Sequence, residues 1–374
     1  MSQKPIPYGF QTIEPDDINA VIEVLKSDYL TTGPKVAEFE AALANYVSAK
    51  YCVVVNSGTA ALDIAVGALE LPGGSEIITS PFTFAASANC ALYNGCVPVF
   101  ADINPQTYNI DPEQIRKKIT KKTRAIIYVD YAGHPCDIKE IKEIAEKHDL
   151  FVIEDACHAL GAEYFGKRVG SLADMTVFSF HPVKHITTGE GGAVTTENLD
   201  MYAKLKLLRN HGIDKTPSER ASYVYDMKML GRNYRITDFQ CALGISQLKK
   251  ADGFLKRREE VARMYAEAFA EMVSVTSQLV KPNVRHAWHL YTILVGKGID
   301  RDSFFAKMRA KGIGVNVHYI PIYTFSYYRQ FGINPKDYPN AENIYSRIVS
   351  LPMFHGMKEE DAKTVINAVK DSLG

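Results

Sequence analysis

Short apolar segments alternate with helical patterns through the first half of the chain, and this alternation constrains the fold more than any other feature. The apolar segments are YCVVV (51–55), EIITS (76–80), VPVF (97–100), RAIIYV (124–129) and LFVIE (150–154). Short buried strands separated by helices are typical of a mostly parallel sheet with helices on both faces. The sequence therefore predicts an α/β domain built on such a sheet.

The flanking segments carry helix patterns. From Pro15, proline and acids in the first turn precede Ile18, Ile22 and Leu25 at helical spacing, which predicts an amphipathic helix. Further helices are predicted through Phe39, Leu43 and Tyr46, through Leu62 and Leu69, and from about Thr83, Asp111 and Asp137. After the fifth strand, a hairpin is predicted at 164–170 and a strand at 174–179, followed by the glycine-rich segment 187–193.

A long helical pattern runs from Thr237 to about Phe269 and leads the chain away from the sheet. We place the domain boundary inside it, which gives a large domain of residues 1–250 and a smaller C-terminal α/β domain of residues 251–374. A strand candidate, HLYTILV (289–295), and helices from Asp302 and Lys358 belong to the smaller domain.

Composition argues against several classes of partner. The 43 basic residues balance 43 acidic residues, and a net charge of zero does not favour nucleic-acid binding. No segment approaches the roughly 18 apolar residues of a membrane span, and the N-terminus lacks the apolar region of a signal peptide. The six cysteines form no CxxC pair, which indicates reduced thiols. We expect a cytoplasmic protein that binds neither membrane nor nucleic acid.

Two segments following predicted strands carry candidate binding residues. Asn56-Ser57-Gly58-Thr59-Ala60 lies between a strand and a helix, where free N–H groups and the helix dipole can hold a phosphate. In FVIEDACHA (151–159), Asp155 and His158 follow a strand at the sheet edge where ligands bind. On these residues alone, plain helix caps and a packed histidine remain the more common explanations.

The most specific segment is FSFHPVK (178–184), which is followed by a run of glycines. Lys184 comes 29 residues after Asp155, and Ser179 beside it can bind phosphate. A lysine in such surroundings is suited to forming a Schiff base with an aldehyde cofactor. A single lysine is usually a solvated surface residue, but the spacing and the flanking residues favour the catalytic interpretation.

These three segments, together with YVDYAGHPCDI (128–138), RNYRITDFQCALGISQLKK (232–250) and VHYIPIY (317–323), resemble the DegT/DnrJ/EryC1/StrS family of sugar aminotransferases over nearly the whole chain. The resemblance implies the fold of the fold-type-I enzymes that depend on pyridoxal 5'-phosphate (PLP), with a seven-stranded type of sheet. It also implies that pyridoxamine 5'-phosphate forms as an intermediate and that homodimers share their active sites.

The same resemblance implies a role for individual residues. Lys184 binds PLP covalently and carries the proton, Asp155 pairs with the pyridine nitrogen, and Phe84 stacks on the ring with His158 beside it. The implied phosphate ligands are Gly58, Thr59, Ala60, Ser179 and, from the partner subunit, Asn233. The implied contacts to the nucleotide sugar are Tyr8, Asp28, Tyr29, Leu30, Thr31, His318, Tyr319 and Tyr327. Core or dimer packing is the alternative for these aromatic residues, and Arg232, Arg235 and Arg285 are further candidates for the diphosphate.

The segment LKSDYLTTG (25–33) and several of those above most resemble the branch of the family that serves pseudaminic acid biosynthesis. This implies amino transfer from L-glutamate to C4 of a UDP-linked 4-keto-6-deoxy-N-acetylhexosamine. A GDP- or dTDP-linked 4-keto-6-deoxyhexose is the alternative acceptor. Less favoured alternatives are a non-catalytic PLP-fold binding protein and a sugar 3-dehydratase, in which histidine replaces the lysine. Here the aligned residue is Lys184, with His185 one position beyond it.

Overall fold

A central sheet of seven strands organises the part of the chain that the computed structural model describes, residues 5–215 and 222–373. The strands of all the sheets in the described residues, seven of which form this central sheet, are β1 Tyr51–Val55, β2 Glu76–Thr79, β3 Val97–Phe100, β4 Thr123–Val129, β5 Phe151–Asp155, β6 Glu163–Tyr164, β7 Lys167–Arg168, β8 Met175–Ser179, β9 Gly192–Thr196, β10 Val275–Ser277, β11 Val284–Arg285, β12 Tyr291–Val295 and β13 Ile348–Leu351. The central order is β1-β9-β8-β5-β4-β2-β3, with only β9 antiparallel to its neighbours. The predicted α/β fold with a mostly parallel sheet is confirmed.

Helices cover the sheet and build the C-terminal part. They are α1 Pro15–Leu25, α2 Pro34–Val47, α3 Gly58–Ala68, α4 Ala86–Tyr93, α5 Pro112–Lys118, α6 Ile138–His148, α7 Leu199–Arg209, α8 Asp238–Leu248, α9 Ala251–Phe269, α10 Arg301–Ala310, α11 Pro339–Tyr345 and α12 Glu359–Leu373. Apolar side chains of β1, β4 and β5 are almost all buried, because helices pack on both faces of these strands. None of the described helices is long and apolar enough to cross a membrane.

The single helix predicted from Thr237 to Phe269 is wrong, because the chain leaves the helix between α8 and α9. At this break, Lys250 directs its side chain to three carboxylates at the start of α1. Its Nζ lies 3.1 Å from Glu14, 3.0 Å from Asp16 and 2.8 Å from Asp17. The ion pairs hold the break against α1, whereas the local sequence alone favours a continuous helix.

Two other predicted helices differ from expectation. The helix predicted from about Thr83 begins only at Ala86, so that Thr83 and Phe84 remain in the preceding loop. In α1, the predicted apolar stripe faces outward, with Ile18 51%, Ile22 38% and Leu25 56% exposed. Burial of that stripe therefore requires a surface outside the described chain.

The C-terminal part has its own three-stranded sheet, β10-β12-β13, packed with α9, α10 and α12 around one apolar core. Ile6, near the start of the chain, belongs to this core and pairs with Ile313. The division at 250/251 stays a prediction, and the N-terminal segment contacts the C-terminal part.

Candidate active site

A cavity of about 390 Å³ opens at the carboxyl ends of the parallel strands. Loops after β1, β2, β5 and β8 contribute to its wall, as expected for ligand sites in open α/β sheets. Most of the residues predicted from the sequence line it, namely Tyr8, Gly58, Thr59, Phe84, Asp155, His158, Ser179, Lys184, His318 and Tyr319. Folding thus brings together segments that are more than 300 positions apart in the sequence.

The start of α3 forms a concave polar surface on one wall. Ser57 caps the helix by accepting a hydrogen bond from the Ala60 N–H at 3.1 Å. The N–H groups of Gly58 and Thr59 have no carbonyl one turn earlier to bind, so they can receive an anion. A Cβ on Gly58 would lie 2.9 Å from the Ser179 Cβ, which is closer than packed carbon atoms approach. The site therefore requires glycine at position 58.

Asp155 lies at the end of β5 with its carboxylate fixed from two sides. The Ser87 hydroxyl donates to Oδ2 at 2.7 Å, and the Cys157 N–H donates to Oδ1 at 3.2 Å. The Ser87 hydroxyl is itself 3.1 Å from that of Thr83. Together these two hydrogen bonds hold the carboxyl group in one orientation.

Lys184 reaches the same cavity from the loop after β8. Burial lowers the pKa of its amine, while the neighbouring Cys157 and Asp155 act in the opposite direction. Desolvation disfavours the ammonium form, so a larger fraction of the amine is available as a nucleophile or base at neutral pH.

His158 and Tyr319 form a hydrogen-bonded pair across the cavity. The Tyr319 hydroxyl lies 2.9 Å from the His158 Nε2, with the rings nearly parallel at 16°. Burial lowers the pKa of His158 far below its usual range and raises that of Tyr319. A neutral tyrosine and a neutral imidazole therefore share this hydrogen bond, and the His158 Nδ1 is buried without a partner among the described residues.

His318 borders the cavity next to Tyr8, with their ring centroids 5.7 Å apart. Its Nδ1 lies 2.8 Å from the Ser350 hydroxyl. Burial, followed by the charge of Lys184, lowers the pKa of His318 to about 3, so the imidazole is neutral at physiological pH.

Several predicted residues lie outside the cavity of their own chain. Ala60 is buried, and its N–H is used by the helix cap. The other such residues are exposed, namely Asp28, Tyr29, Leu30, Thr31, Asn233 and Tyr327. The role of Asn233 as a residue supplied to the site of a partner subunit stays a prediction.

The other basic candidates have partners elsewhere. Arg232 pairs with Asp63 at 3.1 Å, Arg235 donates to the Asn210 side chain at 2.8 Å, and Arg285 binds Glu259 at 2.8 Å. The His185 Nε2 lies 2.9 Å from the Ala287 carbonyl oxygen, and its ring does not line the cavity. Of the adjacent residues Lys184 and His185, only Lys184 therefore lines the cavity, together with His181, Val183 and Glu190 of the same loop.

Sequence reasoning missed part of the wall, including Ser57, Thr83, Ser87, Cys157 and His289. Ser57 and Cys157 stood inside segments that had already been singled out. Thr83 and Ser87 carried one weak indication, a four-residue spacing of hydroxyls beside the predicted strand β2. His289 comes from the C-terminal part, and no local pattern connects it with Lys184.

PLP consists of a phosphate, an aldehyde and a pyridine ring, and the cavity provides for each of them. Gly58 leaves a concave surface that a single Cβ would fill, and unbonded N–H groups face it. Asp155 provides a fixed carboxylate and Lys184 an amine, while the unpartnered His158 Nδ1 offers a further polar contact. The volume also lies in the range of small-molecule sites. These residues fit PLP.

Comparison with known proteins agrees with this fit. The model of the DegT/DnrJ/EryC1/StrS aminotransferase family matches residues 11–370. The UDP-4-amino-4,6-dideoxy-N-acetyl-beta-L-altrosamine transaminase of Campylobacter jejuni is 42% identical over 98% of this chain and 96% of its own length.

Two solved structures cover nearly all of the chain. PseC of Helicobacter pylori, described as an aminotransferase involved in pseudaminic acid biosynthesis, has a TM-score of 0.95 at 36% identity and 99% coverage of both chains. The PLP form of the sugar aminotransferase Spr1654 of Streptococcus pneumoniae has a TM-score of 0.93 at 30% identity, covering 99% of this chain and 98% of its own. This chain is a PLP-dependent sugar aminotransferase, and it belongs to the DegT/DnrJ/EryC1/StrS aminotransferase family.

Proposed function

We propose that this aminotransferase moves the amino group of L-glutamate to C4 of a UDP-linked 4-keto-6-deoxy-N-acetylhexosamine. The observation that carries the proposal is the placement of Lys184, Asp155 and the start of α3 around one cavity. The choice of sugar is supported by the named relatives from Campylobacter and Helicobacter, which match the chain over nearly its full length.

Each wall of the cavity has a proposed role in holding the cofactor. When bound, PLP supplies an aldehyde that condenses with amines and a ring that accepts electrons. Gly58, Thr59 and Ser179 would bind the phosphate, with Ala60 completing the turn through its bond to Ser57. Asp155, held by Ser87, would keep a proton on the pyridine nitrogen and so strengthen the ring as an electron acceptor.

The remaining cofactor contacts are aromatic. Phe84 is 60% exposed and lies beside Tyr319, with ring centroids 6.2 Å apart, so its face is available for stacking. His158 is fixed by Tyr319 and would lie next to the ring. Both side chains would exclude water from the reacting atoms.

Lys184 is proposed to act twice. Its amine would hold the cofactor in the resting enzyme, and its free Nζ would take the proton from the α-carbon of the amino donor. The lowered pKa of Lys184 supports both roles, because each requires an unprotonated amine.

Substrate contacts are proposed for two groups of residues. Tyr8, His318 and Tyr319 line the cavity and present polar tips on flat rings, which suits sugar hydroxyls. The segment Asp28, Tyr29, Leu30 and Thr31 and the side chain of Tyr327 are exposed outside it. Their proposed contacts with the nucleotide sugar therefore need the cavity of a second subunit or a rearrangement on binding.

A homodimer with shared sites is part of the proposal. Exposed apolar residues support it, because Met227 is 61% and Leu230 77% exposed close to Asn233 in the sequence, and the apolar stripe of α1 also faces outward. Such surfaces are normally covered in an oligomer. Mixing Lys184→Ala with Asn233→Ala subunits tests sharing, since each mixed dimer would regain one intact site.

Unfolding and refolding the two inactive variants together should return about a quarter of the wild-type activity, because half of the dimers are mixed and each has one of two sites. Refolding each variant alone is the control. No recovery in the mixture would contradict a shared site.

The acceptor is tested by a competition assay. UDP-, GDP- and dTDP-linked 4-keto-6-deoxy sugars are supplied together with L-glutamate, and the aminated products are separated by mass. We expect the UDP-linked N-acetyl sugar to be consumed first. Preference for a GDP- or dTDP-linked sugar would remove the proposed substrate while leaving the aminotransferase in place.

A further inference from the structure

A buried cation lies close to the cavity and has no role in the chemistry above. Arg258 in α9 is 0% exposed. Burial lowers its pKa to about 10, which leaves the guanidinium charged at neutral pH. Within residues 5–215 and 222–373, no carboxylate forms an ion pair with it. Because buried charges are normally paired, this one needs an explanation.

Backbone carbonyls take the place of a carboxylate. The Arg258 Nη1 donates to the carbonyl oxygens of Trp288 at 3.1 Å, His289 at 3.2 Å and Met353 at 3.1 Å. These acceptors belong to two segments that are distant in sequence from each other and from α9. The guanidinium therefore ties three parts of the C-terminal region together.

The Trp288 backbone is strained at this point. Its φ of 50° lies in the left-handed region, which is costly for a bulky residue and persists only when the surroundings enforce it. On the other side, the Ala287 N–H donates to the Gly133 carbonyl at 2.9 Å. A Cβ at Gly133 would lie 3.0 Å from the Trp288 nitrogen, so the turn is held tightly between Gly133 and Arg258.

This turn carries His289 into the cavity wall. The His289 ring centroid lies 4.3 Å from that of His158, which in turn binds Tyr319. The position of the Trp288 turn therefore sets the position of the histidine pair beside the cofactor site.

Arg258 is also near Lys184, because it binds the carbonyl of His289, whose side chain lines the same cavity as Lys184. After burial, which is the largest cause, Cys157 and Asp155 raise the pKa of Lys184 and Arg258 lowers it. Among the described residues, the titratable and charged groups that line the cavity with Lys184 or act on its amine are Tyr8, Asp155, Cys157, His158, His181, His185, Glu190, Arg258, His289, His318 and Tyr319. The histidines all have lowered pKa values and are neutral at pH 7 or above, so Arg258 is the fixed positive charge of this group.

We propose that Arg258 is a positioning residue for amino transfer, which fixes the strained Trp288 turn and places an unneutralised positive charge near Lys184. The charge disfavours the ammonium form of Lys184, and the fixed turn holds His289 against His158. The proposal rests on the role proposed for Lys184.

The test uses the full-length protein freed of PLP and measures two properties. Trace acetylation with acetic anhydride across about pH 6 to 10, followed by peptide mass spectrometry, gives the titration midpoint of the Lys184 amine. Fluorescence reports the turn directly, because Trp288 is the only tryptophan of the chain.

Three variants separate the effect of the Arg258 charge from that of its hydrogen bonds to the backbone. Arg258→Met removes both, so we expect Lys184 labelling at pH 8 to fall about 3- to 10-fold, equivalent to an upward pKa shift of about half to one unit, and the Trp288 emission to change. Arg258→Lys keeps the charge and loses the planar fork, so only the emission should change. Arg257→Met is the matched control, because Arg257 also donates to a backbone carbonyl, that of Met357, but is not among the groups that act on Lys184. In this variant neither the Lys184 labelling nor the Trp288 emission should change.

Wild-type Lys184 labelling in folded Arg258→Met would overturn the electrostatic role. Wild-type Trp288 emission in both Arg258 variants would overturn the positioning role. If Arg258→Met does not fold, Arg258→Lys still tests the proposal. An unchanged Trp288 emission in this variant, or a loss of Lys184 labelling as large as about threefold, would contradict it. Finding PLP on another lysine would refute the proposed function and leave this comparison valid.

Discussion

Replacing Gly58 with alanine should weaken PLP binding without unfolding the protein. The new Cβ would lie 2.9 Å from the Ser179 Cβ, 3.2 Å from its hydroxyl oxygen and 3.3 Å from the Cys157 sulfur. Either the Ser179 side chain or the start of α3 must move by several tenths of an ångström. Both belong to the proposed phosphate site, so at least one hydrogen bond to the phosphate should be lost.

A hydrogen bond to a charged group contributes about 1.5–3 kcal/mol, so the loss of one such bond predicts a roughly 10- to 100-fold weaker affinity for PLP. Titration of the PLP-free protein, followed by absorbance, measures the Kd. The matched control is Gly253→Ala in α9, where a Cβ meets no atom within 4 Å and alanine should stabilise the helix by about 1 kcal/mol. A Kd for Gly58→Ala within twofold of wild type would refute this account of the phosphate site.

Three further predictions concern the carboxylates and histidines. Asp155→Ala should retain the fold but lower kcat about 100-fold or more, measured as amino transfer under saturating PLP, whereas a loss below tenfold would exclude a direct role at the ring. Burial and then the charge of Glu154 raise the pKa of Asp130, so the folded protein keeps a proton that the unfolded chain releases above about pH 4, and the free energy of unfolding falls as pH rises. In thermal unfolding between pH 5 and 8, Asp130→Asn should therefore be more stable than wild type by about 1 kcal/mol or more, and no such gain would contradict the raised pKa. The pKa of His318 is lowered to about 3, so the unfolded chain binds more protons than the fold below about pH 6.5, and the free energy of unfolding falls as pH drops from there. His318→Gln should reduce the slope of the unfolding free energy against pH by at most about 1.4 kcal/mol per pH unit, and an unchanged slope would argue against a neutral buried imidazole.

The sheet could be predicted because most of its strands are marked by a short apolar run in the local sequence. β1 and β4 are buried on both faces, which requires apolar runs, and each begins and ends within a residue of its prediction. The edge strand β3 is half-exposed, but its four-residue apolar run has the predicted bounds. Asp155 could be predicted for a related reason: a polar residue at the end of a buried strand lies at the edge of a parallel sheet where ligands bind. Lys184 could be predicted from its spacing to Asp155, from the flanking serine and glycines and from the family resemblance.

Other features depend on contacts that no local pattern encodes. The hydroxyl of Ser87 holds Asp155 from 68 positions away, and the break after α8 accompanies ion pairs between Lys250 and α1. The apolar spacing of α1 predicted a helix but not the direction of its stripe, because periodicity does not specify what covers a face. Arg258 resembled any other basic residue of an amphipathic helix until its carbonyl acceptors were visible.

Borohydride reduction of the PLP-loaded protein, followed by proteolysis and mass mapping of the labelled peptide, tests the central claim most directly. The account predicts one pyridoxyl group per chain, attached to Lys184, and no labelling of a Lys184→Ala protein. Label on a different lysine, or undiminished labelling of Lys184→Ala, would contradict the assignment of this cavity as the catalytic site.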